Sequence, residues 1–368
     1  MKKKKLSSVA GVLATVLICA LCSLLFGPML SKSRIMFHGG GAALLSFAVF
    51  MLIFIAVFFV QIIIHEFGHL VFGLLTGYRF SSFRIGSLML VKTGSALRLK
   101  RLSLAGTAGQ CLLAPPDNAN GGMPYRLYNF GGAIMNLAAA ALFAALACCS
   151  ASLASTVFTS LSYAGMLVGL TNGIPLSFGS INNDGYNTLS LGKSPAALRA
   201  FYVQLKVNEL QAAGLRLRNM PEELFRLPDT GLENSMIAAS AVLCENRLMD
   251  GHRFSEAAAL VDRLSQTDSG IVGLHWGMLW CDRITCALLS GEDYLHYLTK
   301  SQRKFMKQMK SYITVIRTQY AIALLGTGNA EAAGKLRLDF ERAAKSYPYL
   351  SDVESEREIL ELITAKAE

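Results

Sequence analysis

Acidic residues are almost missing from the first 200 positions. That stretch holds 15 Lys and Arg but only three acids, Glu66, Asp117 and Asp184, whereas the remainder holds 20 basic and 22 acidic residues. The net charge is therefore +12 up to residue 200 and −2 beyond it. The basic residues of the first part mostly flank apolar runs and form no basic face interleaved with aromatics. That pattern argues against nucleic acid and for anionic lipid and membrane orientation. Histidine is missing between His69 and His252, so no apolar segment in that interval can supply an imidazole. A disulfide framework is missing too. Cys19, Cys22, Cys148 and Cys149 lie in apolar runs and Cys244, Cys281 and Cys286 in helical patterns, where they read as small buried hydrophobes.

Long apolar runs are plentiful. The first, Val9 to Phe26, follows Lys2–Lys5 and is longer than a signal core, with no A-x-A site after it. It reads as a transmembrane helix with a cytoplasmic N-terminus, against the alternative of a cleaved signal. The second, Ala42 to Thr76, is interrupted only by Gln61 and the HEFGH cluster. As a helix it spans roughly 50 Å, well beyond a hydrocarbon core of ~30 Å, so it tilts or projects. Runs near 128–149 and 154–175, joined around Ser150–Ser152, form an antiparallel hairpin.

The connection from Tyr78 to Leu127 carries seven basic residues, which marks it and the C-terminal half as cytoplasmic, although Lys32 and Arg34 fall on the outer side. Within it, FRIGSLMLV and the alternating SALRLKRLSL (Leu97, Leu99, Leu102, Leu104) flank a turn at Lys92–Ser95. A β-hairpin over about 78–110 follows, apolar enough to dip back toward the membrane. From Pro195 the chain becomes soluble and helical. Glycines at 214, 251, 291 and 328 follow helical phrases at spacings near 40 residues, a loose tetratricopeptide-like self-similarity, with an unrelated bundle as the alternative.

His65 and His69 stand four apart, so a helix puts both imidazoles on one face, as two ligands of one zinc ion require. Glu66 emerges beside them, where a carboxylate can take a proton from water at the metal. Polar groups are costly inside a bilayer, so three in adjacent positions call for a function rather than a satisfied helix contact. A hydrolytic site needs a third protein ligand. Asp184, followed by Gly185 after the fourth run, is the first choice; Asp117, Cys111, Cys148 and Cys149 remain alternatives, and His38 lies on the opposite side of the membrane.

The stretch HEFGHLVFGLLTGYRFSSFRIGSLML, with Gly77, Phe83 and Gly86, resembles the first signature of the site-2 protease family (peptidase family M50) of intramembrane zinc metalloproteases. NFGGAIMNLAAAALF resembles its G-x-x-x-N element at Gly132 and Asn136, and TNGIP followed by NDG resembles its third element at Asn172, Pro175, Asp184 and Gly185. The chain departs from the family in having Asn183 where leucine is common and a longer gap from Pro175 to Asp184. The resemblance spans about residues 45–190. It implies His65, His69 and Asp184 as ligands of one zinc ion per chain and Glu66 as general base. It further implies Asn136 as an aid in positioning the substrate or polarising its carbonyl, and Asn172 and Pro175 as substrate-binding residues that help open the helix near the metal.

The expected architecture is an all-α polytopic membrane protein of about four transmembrane helices with a re-entrant β-hairpin loop, then a C-terminal α-helical, tetratricopeptide-like soluble domain. Its parts are an N-terminal helix (1–30), a metalloprotease core (42–190) and a cytoplasmic domain (195–368). The expected activity is hydrolysis of peptide bonds in or near transmembrane segments, in regulated proteolysis or clearance of signal-peptide remnants. The expected partners are a transmembrane substrate, the bilayer and a cytoplasmic protein bound through 195–368. The rival readings are a non-catalytic membrane scaffold, a proton-relay transporter using His65 and Glu66, and a zinc peptidase of another membrane class.

Overall fold

A computed structural model describes residues 2–31, 41–103, 107–117, 122–178 and 181–368. Lys32, Arg34, His38 and Leu104 lie outside the described residues. The chain divides into two compact units, residues 1–80 with 108–194, and residues 81–107 with 195–368.

The first unit is built on four long helices: α1 (Lys2–Ser31), α2 (Gly41–Leu75), α3 (Tyr125–Cys148) and α4 (Ser152–Gly173). Each contains a segment long and apolar enough to cross a membrane, at Ser8–Leu25, Met51–Leu75, Tyr125–Cys148 and Leu153–Gly173. The outer surfaces of these helices expose leucine, valine and phenylalanine, as lipid-facing surfaces do, while glycine, alanine and hydroxyl residues are prominent among the buried positions of α3 and α4. Gly68 of α2 and Gly131 of α3 abut so closely that a Cβ on either would run into the other's backbone. Ser162 of α4 donates to Ala140 O of α3 at 2.7 Å, and Ser155 to Ala147 O at 3.1 Å, closing the α3–α4 hairpin. Helix α1 packs on α4 through Ile18 and Cys22, so Cys22 is a buried core residue rather than half of a redox pair.

Helix α2 ends in a Schellman arrangement. Gly77 takes φ +90°, Gly77 N donates to Leu74 O, and Tyr78 N reaches back to Gly73 O. The segment after α4 forms a two-residue ladder, β5 (Ser177–Phe178) with β6 (Ile181–Asn182), and then helix α5 (Asp184–Lys193). The strand β4 (Gly109–Ala114) lies along α2.

In the second unit the expected hairpin is a meander of three antiparallel strands, β1 (Arg79–Ile85), β2 (Leu88–Thr93) and β3 (Ala96–Arg101). Both of its turns are Gly-Ser, with Gly86 at φ +59° and Gly94 at φ +60°, the backbone that a two-residue hairpin loop requires. The register puts Met89 and Val91 on one face, buried against Ala212 and Tyr349, and leaves Leu88, Leu97 and Leu99 exposed on the other. These strands group with residues 195–368, a grouping that no local pattern in the sequence announces.

The rest of this unit is helical: α6 (Pro195–Ala212), α7 (Ser235–Asp250), α8 (Phe254–Ser265), α9 (Gly273–Ser290), α10 (Lys300–Gln308), α11 (Ile313–Ala321), α12 (Ala330–Ser346) and α13 (Leu350–Ala367). Asn234, Thr299 and Asn329 cap the N-termini of α7, α10 and α12 with side-chain oxygens. Gly214, Gly291 and Gly328 take the left-handed backbone that stops the helices before them; at the fourth position the next residue, His252, takes it instead of Gly251. Two arginines of this unit, Arg84 and Arg317, are fully buried among the described residues, and Arg317 is gripped by Asp282 and Glu356.

Candidate metal centre

Three of the four side chains expected at a metal meet at one point in the first unit. The Nε2 atoms of His65 and His69 are 3.2 Å apart, and Asp184 Oδ2 lies 3.0 Å from the first and 3.4 Å from the second. They form the one group of three or more metal-binding side chains among the described residues. The α2 helix supplies both imidazoles from one face, four residues apart. The other sequence candidates for a third ligand lie elsewhere. Asp117 is exposed beside Arg79, Cys111 is buried in β4, and Cys148 and Cys149 are exposed at the far end of α3.

The far side of each imidazole is held by an acceptor. His69 Nδ1 is 2.8 Å from the main-chain oxygen of Tyr128, which can only accept, so Nδ1 carries the proton and Nε2 presents its lone pair. His65 Nδ1 is 2.7 Å from Asn136 Oδ1. The orientation of that amide follows from its other end, because Asn136 Nδ2 donates to the main-chain oxygen of Gln61 at 2.9 Å and to its Oε1 at 2.8 Å. Gln61 Nε2 in turn donates to Leu161 O of α4 at 2.9 Å. A chain of amides thus runs from α4 through α2 and α3 to His65. It leaves both Nε2 lone pairs aimed at the same small space as a carboxylate oxygen. Two neutral imidazoles and one carboxylate are the donor set that suits zinc, and their outward nitrogens are already occupied in the way metal-ligating histidines require.

Glycines make the room. A Cβ on Gly132 would lie 2.5 Å from Cε1 of His65, so the ring packs flat on that residue of α3. A Cβ on Gly109 would lie 2.5 Å from Glu66 Oε1, which places the buried Glu66 carboxylate against β4.

The long gap between Pro175 and Asp184 is closed by Asn183. Its Oδ1 accepts from Leu176 N at 3.0 Å and from Tyr186 N at 2.9 Å, while its Nδ2 donates to Thr171 O and Ile174 O, both at 2.6 Å. Its own N–H reaches Leu176 O at 3.1 Å. The β5–β6 ladder therefore returns to where it began, and Asn183 caps α5 so that its first residue, Asp184, faces the histidines. Gly185 then packs on the last turn of α4, where a Cβ would strike Gly173 O. Asn172 directs its amide to Val168 O of its own helix at 3.0 Å, and Pro175 is exposed. Asn136, expected to aid in positioning the substrate or polarising its carbonyl, has both ends of its amide on His65 and Gln61. Sequence reasoning passed over Gln61 and Tyr128; the signal available for Gln61 was its place as the sole polar residue ahead of HEFGH in a long apolar run.

The four apolar helices and the histidine–carboxylate cluster define a class, helical membrane proteins with a metal-type site. Within that class the chain belongs to peptidase family M50, whose profile matches residues 53–334, most of its length. Members of this family are zinc metalloproteases, and membership implies a metalloprotease that acts within the membrane on membrane-protein substrates. No curated protein and no solved structure matches the chain.

Proposed function

We propose that this chain is an active intramembrane zinc endopeptidase, with His65, His69 and Asp184 holding one zinc ion and Glu66 acting as general base. The convergence of two imidazole lone pairs and one carboxylate oxygen, with each Nδ1 engaged by an acceptor, is the observation that carries this reading. Zinc bound there supplies a Lewis acid that acidifies water and polarises a scissile carbonyl. Glu66, buried beside His65, takes the proton of the attacking water and returns it to the departing amine. Asn136 is a positioning residue that holds the His65 ring through Nδ1. The strand β4, against which Glu66 lies, is the segment to which an unwound stretch of substrate adds by main-chain hydrogen bonds. Asn172 and Pro175, at the open end of α4, flank that stretch.

The substrates in this reading are single-span proteins or signal-peptide remnants, cut in or near their membrane segment. The membrane core is residues 42–190, preceded by a retained helix whose Lys2–Lys5 end is cytoplasmic. On the same side, residues 195–368 form a helical-repeat domain that recognises a cytoplasmic partner.

The test is the Glu66→Gln variant, purified with its metal and reconstituted in liposomes with candidate membrane substrates. Retained zinc, lost cleavage and co-purification of uncut peptides are expected. Cleavage at the wild-type rate by this variant, or wild-type protein that never holds zinc in stoichiometric amount, would overturn the proposal.

A further inference from the structure

The second unit contains a cavity of about 300 Å3, at the small end of the range for ligand pockets. It opens between α7, α9, α11 and the first turns of α13, and none of its lining belongs to the metal centre. Four carboxylates face it: Asp250, Asp282, Asp352 and Glu356. Three of them have cationic partners. Arg216 holds Asp250 at 2.5 Å, and Arg317 holds both Asp282 and Glu356. Asp352 has only a neutral amide, Gln211 Nε2 at 2.8 Å. Burial, with Glu356 and Asp250 close by, pushes its carboxyl up to about 7. His275, also in the lining, is kept neutral by burial and adds no countercharge.

A second, independent feature points into the same space. Ser351, 3 % exposed, lines the cavity and its Oγ has no hydrogen-bond partner, and the half-buried Tyr312, also in the lining, has a hydroxyl in the same condition. Buried hydroxyls left without partners are costly, and a bound donor relieves that cost. An anion would suit the N-terminus of α13 but meets four carboxylates. A metal ion would need three ligand atoms close together, and among the described residues only the His65 cluster provides that. The rest of the lining mixes polar Asn246, Thr314 and Ser355 with an adaptable apolar part that includes Met249, Leu274, Met278 and Ile359.

We propose that this cavity binds an alkyl cation, an ammonium or guanidinium group on an aliphatic stem. The charge pairs with Asp352, the group donates to Ser351 Oγ and Tyr312 Oη, and the stem lies on the methionines and leucine. Such a group arrives either as a lysine or arginine side chain in a peptide or as a free diamine. The proposal does not depend on the proteolytic reading of the metal centre.

Isothermal titration on the full-length protein in neutral detergent, with cadaverine in one arm and an acetyl-Gly-Lys-Gly-amide peptide in the other, tests it. Saturable one-to-one binding of at least one probe is expected. Asp352→Asn should weaken it at least about tenfold, as loss of a charge partner does, and Ser351→Ala by a smaller factor. Glu331→Gln, in an exposed pair with Lys335, should leave it unchanged. Binding of cadaverine alone identifies a free amine as the source, and binding of the peptide alone identifies a protein segment. The proposal fails if neither probe binds at millimolar concentration. It also fails if a norleucine peptide binds as well as the lysine peptide, if magnesium or calcium displaces the probe, or if folded Asp352→Asn binds like the wild type.

Discussion

Asn136 Oδ1 accepts from His65 Nδ1 at 2.7 Å, while the other end of the same amide is anchored on Gln61. This contact sets the tautomer and the tilt of a ring whose opposite nitrogen faces Asp184. Asn136→Leu, close in size but without an acceptor, should lower zinc affinity about 10–100-fold, the usual cost of removing a partner behind a metal-ligating histidine. Asn136→Asp keeps an acceptor toward His65 and should retain more of the affinity. Competition against a chelator of known zinc affinity measures both, and equal affinities for Leu and wild type would refute the role.

Gly132→Ala introduces a methyl group 2.5 Å from the His65 ring. The ring is held at Nδ1 and cannot swing away without losing Asn136. The expected result is a protein that inserts and folds but binds zinc at least about tenfold more weakly. The Glu66→Gln protein should show no such loss. Zinc content measured on the two variants side by side separates a displaced ligand from a missing base.

Asn183→Ala removes four side-chain hydrogen bonds at once. Loss of the helix cap alone costs about 1 kcal/mol, but the larger effect is on Asp184, which then loses its fixed approach to the histidines. Zinc affinity and cleavage should fall together, with less effect on thermal stability than on either. A variant with normal metal binding would show that Asp184 is held by something other than this carboxamide.

Asp352 is higher in the folded protein than the roughly 3.9 of an unfolded aspartate. Between those two values the folded state binds more protons than the unfolded state, so stability falls as pH rises from about 4 through about 7. Asp352→Asn is free of this loss. The variant should melt higher than wild type at pH 8 and together with it at pH 4, when unfolding is followed by thermal denaturation in detergent. A variant less stable than wild type at pH 8 would contradict the assignment of an unpaired carboxylate.

Much of the membrane unit was legible because its signals are local. Runs of apolar residues long enough to span a bilayer gave α2 to α4 within a few residues of their observed ends and α1 without its first and last turns, and HEFGH put both imidazoles on one helical face. Asp184 was reachable by elimination, since the first 200 residues offer so few acids. What stayed hidden depends on contacts between distant segments. The acceptor behind His69 is a main-chain oxygen, which any residue at position 128 would supply. The hydrogen bond from Gln61 to Leu161 crosses 100 residues. The sheet looked like one hairpin because β3 alternates in sequence, yet every residue of that strand is at least partly exposed, and its partner β2 carries the buried face. The acidic cavity gathers side chains from α7, α9 and α13, none of them unusual on its own helix.

The way Asn183 fastens both ends of the β5–β6 ladder has a consequence for how this protein can vary. The main chain of Leu176 is bonded to both the main chain and the side chain of Asn183, so the length of chain between them does not set the position of Asp184. Residues could be added or removed at the tip of that ladder, or a fluorophore or epitope placed there, without moving the third side chain of the cluster. One carboxamide thus insulates the position of Asp184 from the length of the connection between β5 and β6.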